Sequence, residues 1–186
     1  MLSNELIINT TKNWLDSFVI GHRICPFAKK ERDRGSIHFS VTQDADLALQ
    51  LEALMLSCEQ LDSESKIETV LHIYPNGLID FDDYLDFLEL ATTLMHEQGY
   101  EGIFQLASFH PDYQFQGVDA DDASHYTNRS PFPMLHLLRE TSLEKALASY
   151  PHPETIPQRN IDYTRKLGLV KLQRILAQCD SRSKTG

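Results

Sequence analysis

In HRICPFAKK, between His22 and Lys30, a cysteine stands directly before a proline in the most basic part of an acidic chain. A thiol just ahead of a helix started by Pro26, with Arg23, Lys29 and Lys30 around it, would meet free N–H groups and a dipole that favour the thiolate. A lowered pKa would make Cys25 a nucleophile, a redox thiol or a soft metal ligand. The plainer alternative is a small apolar side chain between Ile24 and Phe27. Cys58 and Cys179 fall on apolar stripes and read as core. Two familiar cysteine motifs fit poorly. The second cysteine of a thioredoxin-like CxxC is Ala28 here, and a lone Cys-Pro haem dipeptide carries little specificity.

His110 ends an expected strand, precedes Pro111 and stands two residues before Asp112. A neutral imidazole oriented by Asp112 would serve as a general base. With Asp119, Asp121, Asp122 and His125 the same loop would offer a hard-metal site. That spacing matches no established metal motif, and clustered loop aspartates are usually solvated, so no metal ligand is assigned. His38, His72 and His96 lie within expected elements and read as structural or exposed. In YTNRSPFPMLHLLRE, Ser130 would cap a helix begun by Pro131–Pro133 and place Asn128 and Arg129 near free N–H groups, which suits a phosphate or a carboxylate. His136 and Arg139, three apart, would share one face of that helix. The structural alternative is a capping turn in which Arg129 pairs with a nearby aspartate. Arg159–Asn160 would add a further cation at the start of the last helix.

These residues need elements to position them. Apolar spacing predicts a first helix over about Asn4–Ile20 with Gly21 as its stop, then a short helix in CPFAKKERDR. SIHFSVT, ETVLHIYPN and GIFQLASF read as strands, separated by helices over about Asp44–Leu61 and from an Asp80 cap to Gly99. This βαβαβ order favours an α/β fold with a small three- to four-stranded, mostly parallel sheet, an N-terminal helix and a C-terminal helical segment. Ligands in such sheets bind outside the carboxyl ends of the strands, and the third of these opens into a long loop after His110. Beyond it, Pro133 to about Arg139 reads as helical. Thr141 and Glu144 suggest a capping box, and a last helix spans about Pro157–Cys179.

The chain has 186 residues, 41% of them hydrophobic and 24% charged, with a net charge of −10. Residues 1–180 are expected to form one globular domain and 181–186 a disordered tail. A chain of this size buries roughly 70% of its unfolded surface, enough to fold without staples. The acidic balance argues against a nucleic-acid or anionic-membrane surface, and no apolar run approaches the roughly eighteen residues of a membrane span. MLSNELIINTT is too polar for a signal peptide, and three widely spaced cysteines fit reduced thiols in a cytoplasm.

The stretches TKNWLDSFVIGHRICPFA, FHPDYQF and YTNRSPFPMLHLLRE, with IPQRN further on, closely resemble an uncharacterised bacterial family, domain-of-unknown-function family 1415. The resemblance runs from roughly Thr11 to Leu167. It implies no reaction or cofactor, and it places Cys25, His110, Asn128, Arg129 and His136 inside the stretches by which the family is recognised. The residues themselves point to a small cytoplasmic enzyme acting on an anionic metabolite. Cys25, His110 and Asp112 would be the catalytic groups, with Asn128, Arg129, His136 and Arg139 holding the substrate. The alternatives are a metal- or haem-binding protein and a non-catalytic interaction module.

Overall fold

The first helix starts where the Ser3 hydroxyl accepts the Leu6 N–H at 3.2 Å, satisfying one of the orphan donors of the first turn. In the computed structural model, which describes residues 2–179, α1 spans Asn4–Trp14 and continues as a π-helix over Leu15–Ile20. The tail at 181–186 lies outside the described residues. Gly21 follows the π-helix, and only glycine fits there: a Cβ would lie 2.3 Å from the Ser17 carbonyl oxygen. Then come α2 (Ala28–Arg34), β1 (Ile37–Val41), α3 (Leu47–Ser63), β2 (Thr69–Ile73), α4 (Phe81–Glu97) and β3 (Phe104–Phe109). Asp46 and Asp80 start α3 and α4, each carboxylate accepting backbone N–H groups two and three residues ahead. The long loop contains a 3-10 turn, Ala123–Thr127. It leads to β4 (Met134–Arg139), α5 (Glu140–Ala148), α6 (Ile156–Leu167) and α7 (Leu169–Cys179).

The fold is α/β, but the sheet is not mostly parallel. Its strand order is β1-β2-β4-β3, with β1 parallel to β2 and β4 antiparallel to both of its neighbours. The strands of the βαβαβ unit do run one way, since β2 and β3 both oppose β4. The slot between them is filled by Met134–Arg139, the segment expected as a helix. Leu135 and Leu137 are buried against α3 and α4, while Met134 is buried on the opposite face. A strand covered on both faces reads as an unbroken apolar run, which periodicity alone does not separate from a buried helix. The Thr141–Glu144 capping box is absent as well: α5 starts at Glu140, directly off the strand, with no side-chain cap bond. The expected last helix is two helices, broken at Gly168.

Register assigns the strand residues to faces, His136 and Arg139 among them. Val41, Ile73, Met134 and Phe109 form one cross-strand row, and Phe39, Leu71, His136 and Ala107 another, two residues along. The first row, with Phe39, packs against α1, the π-helix, α6 and α7. The alternate residues Val70, Leu135, Leu137, Phe104 and Leu106 face α3 and α4.

Candidate functional site

Cys25 lies in the turn between the π-helix and α2. That helix begins at Ala28 with Phe27 at its cap, so Pro26 belongs to the turn and Cys25 is not the cap residue. Burial raises the thiol pKa. Backbone N–H groups of Phe27 and Ala28, and the Arg159 charge, pull the other way without overcoming it. The group is therefore a thiol, not a thiolate, at neutral pH. The turn is held by α6: Asn160 Nδ2 donates to the Ile24 carbonyl at 2.8 Å, and the Arg159 guanidinium donates to the Arg23 carbonyl. The Tyr163 hydroxyl lies 2.7 Å from His22 Nδ1. HRIC and IPQRN are thus one structural unit, and Arg159, the lesser cation of the sequence reading, is the one that Cys25 meets.

His110 belongs to the other layer. Its ring is fully buried, 5.2 Å from Phe81 and 5.0 Å from Tyr84 of α4. Nε2 donates to the Leu78 carbonyl at 3.0 Å, and Nδ1 accepts the Asp112 backbone N–H at 3.0 Å. Both ring nitrogens are engaged with backbone, and the exposed Asp112 carboxylate is not the orienting group. Burial lowers the pKa of His110, against the pull of the Leu78 carbonyl and of Asp112 and Asp80. Cys25 packs instead with the α1 and π-helix layer. The two side chains share no partner among the described residues, so the expected Cys25–His110 pair is not assembled.

The long loop is folded by its own histidine. His125 Nδ1 accepts the Phe115 N–H at 3.1 Å, and Nε2 donates to the Asp119 carbonyl at 2.8 Å. Asp122 accepts the Ser124 N–H at 2.8 Å and the Arg165 fork at 2.8–3.1 Å, which hold its carboxyl well below the usual range, Arg165 most of all. Among the described residues no three His, Cys, Asp or Glu side chains converge as a metal site.

Asn128–Ser130 runs parallel to the end of β3, with the His110 N–H donating to the Asn128 carbonyl and the Ser130 N–H to the His110 carbonyl. Because a strand follows, no helix start exists here, and the Ser130 hydroxyl donates to the Phe132 carbonyl at 2.6 Å. Asn128 Nδ2 is used on the Ser108 carbonyl at 3.0 Å. Arg129 differs from these. Its carbonyl accepts the Trp14 Nε1–H at 3.1 Å, its Nε donates to the Tyr113 carbonyl at 3.3 Å, and its guanidinium lies 4.8 Å from the Tyr126 ring centre. The side chain is half-buried, and among the described residues it has no carboxylate partner and no hydrogen bond from its two terminal nitrogens. The aspartate expected to pair with it, if Asp122, is taken by Arg165.

His136 and Arg139 do not join this cluster. Three residues apart on a strand, they project to opposite faces. Arg139 donates to the Leu61 and Ile67 carbonyls, closing the end of α3, and stacks 5.7 Å over Phe104. The Thr69 hydroxyl donates its single proton to the Leu137 carbonyl, so His136 Nε2–H donates to Thr69 Oγ1 at 2.6 Å. Burial brings the His136 pKa down to about 4.

The aromatic residues around Arg129 (Trp14, Tyr113, Tyr126) were missed as site residues in the sequence, although all three sit in the stretches quoted for the family resemblance. Two open concavities of about 570 and 470 Å³ flank α7, away from Arg129. The second is lined by Asn13, Asp16, Ser17 and His22, and its Asp16 is already forked by Arg32 at 2.9 Å. No helix among the described residues is long and apolar enough to cross a membrane. A family model described as "Protein of unknown function (DUF1415)" matches residues 6–174. No curated protein and no solved structure matches the chain.

Proposed function

We propose, for a chain that belongs to the DUF1415 family of proteins of unknown function, that it binds a small organic anion with Arg129 as the anchoring cation. The observation that carries this reading is the uncommitted guanidinium edge. Here the protein fixes Nε on a carbonyl and one guanidinium face on Tyr126, while the two terminal nitrogens, which are not buried, are left open to an incoming anion. Arg129 is also held in place by the backbone, bridging the residue that follows β3. Binding is better supported than catalysis. His110, the base that the sequence suggested, has both nitrogens engaged, and Cys25 packs in the opposite layer as a neutral thiol.

Trp14 reports on the site, being the one tryptophan in the sequence and hydrogen-bonded to the Arg129 carbonyl. Titrating the protein with a panel of carboxylates and phosphates should change Trp14 emission saturably. Arg129→Gln should weaken the response roughly tenfold or more, the scale of a lost hydrogen-bonded charge pair, while the thermal midpoint without ligand moves little. The same titration curve in wild type and variant would sink the reading.

A further inference from the structure

We infer that the ligand of this site is a monocarboxylate with a flat apolar body and not a phosphate, an inference that rests on Arg129 being the anion anchor. Phosphate recognition needs several donors converging on three oxygens: a helix start, a nest of backbone N–H groups, or a second cation. Among the described residues no helix start lies here, and the backbone N–H groups of the two segments that meet at Arg129 are largely spent, Gln114 being the exception. The N–H groups of Asp112, Tyr113, Phe115, Asn128, Arg129 and Ser130 all donate within the protein, four to carbonyls and two to imidazole nitrogens. The Asn128 amide and the Ser130 hydroxyl are likewise used internally. The cation contributed by α6, Arg165, is forked onto Asp122.

What remains is one planar fork carrying one positive charge. Two coplanar terminal nitrogens match the two oxygens of a carboxylate, whereas a phosphate near charge −2 would be left undercompensated. The rest of the ligand is specified by the aromatic surroundings. Tyr126 backs the guanidinium, and Tyr113, whose carbonyl holds Nε, touches Phe81 at 5.3 Å and Phe115 at 5.0 Å. Phe81, Tyr113 and Phe115 are all only partly buried and are linked to Arg129 through the Tyr113 carbonyl, so a ring or branched alkyl group that extends from the carboxylate towards Tyr113 would cover them.

Calorimetric titration of the full chain with phenylacetate, acetate and inorganic phosphate tests this. Phenylacetate should bind at least tenfold tighter than acetate, and phosphate more weakly than either. Arg129→Lys, which keeps the charge and loses the fork, should weaken phenylacetate roughly tenfold. Phe115→Leu, checked for an unchanged thermal midpoint, should weaken phenylacetate without affecting acetate. Phosphate binding as tightly as phenylacetate, and lost in Arg129→Gln, overturns the carboxylate inference and leaves the anion reading standing. Acetate equal to phenylacetate overturns the apolar body. No binding by any probe, or binding unchanged in Arg129→Gln, overturns both.

Discussion

Several of the polar side chains that read as candidates for chemistry are anchored by the fold at both ends, His110 and Asn128 among them. His72 shows the pattern most fully: it is fully buried, with Nδ1 2.8 Å from Ser57 Oγ and Nε2 2.8 Å from Thr42 Oγ1. Burial, and to a lesser degree His38, lower its pKa to about 3. Burial acts the same way on His136, to about 4, and lowers His110. In the unfolded chain these rings titrate near 6.5, so below that pH the unfolded state binds protons that the folded state refuses. Their contribution to stability is therefore complete above about pH 6.5 and is lost as pH falls towards their folded values. Urea unfolding should show stability dropping between pH 7 and pH 5, a window above the range where ordinary carboxylates titrate. A flat profile there would mean that these rings are not buried as neutral imidazoles. Arg129 stands apart because its terminal nitrogens have no such anchor.

At the scale of elements, the π-helix explains a glycine. The wide turn brings the Ser17 carbonyl to within 2.3 Å of where a Gly21 Cβ would be, and a backbone atom cannot move aside as a flexible side chain can. Gly21→Ala should therefore destabilise by about 1–3 kcal/mol although φ at this position is ordinary, −59°. A thermal midpoint equal to that of wild type would show that the π-helix relaxes to an α-helix at no cost. The same region shows how distant elements clamp a turn: Asn160 of α6 reaches the Ile24 carbonyl, and Arg23 adopts a left-handed φ of 56° in the turn so held. Arg139 does the equivalent for α3, satisfying carbonyls near its open end. Arg139, and Arg159 beside Asn160, each spend a terminal nitrogen on these carbonyls, which Arg129 does not.

For the molecule as a whole, β4 decides the architecture. It is paired along its length on both sides, with β2 and β3, and covered on both faces. Native-state hydrogen exchange should find the amides of Met134–Arg139 among the slowest in the chain, exchanging with the free energy of global unfolding. Fast exchange there would contradict a central strand. Much of the frame was legible in the sequence: the α/β class, the three strands of the βαβαβ unit, the Asp80 cap of α4, and the core placement of Cys58 and Cys179. Each rests on local periodicity or capping chemistry, which a short window contains. The insertion of β4, the faces on which His136 and Arg139 lie, the separation of Cys25 from His110 and the freedom of Arg129 were not legible. These depend on which buried donor finds which acceptor, and the pairs concerned (His110 with Leu78, Asn160 with Ile24, Trp14 with Arg129) are 32, 136 and 115 residues apart. Local pattern says that such groups need partners; only close packing in three dimensions determines which groups find one and which are left for a ligand.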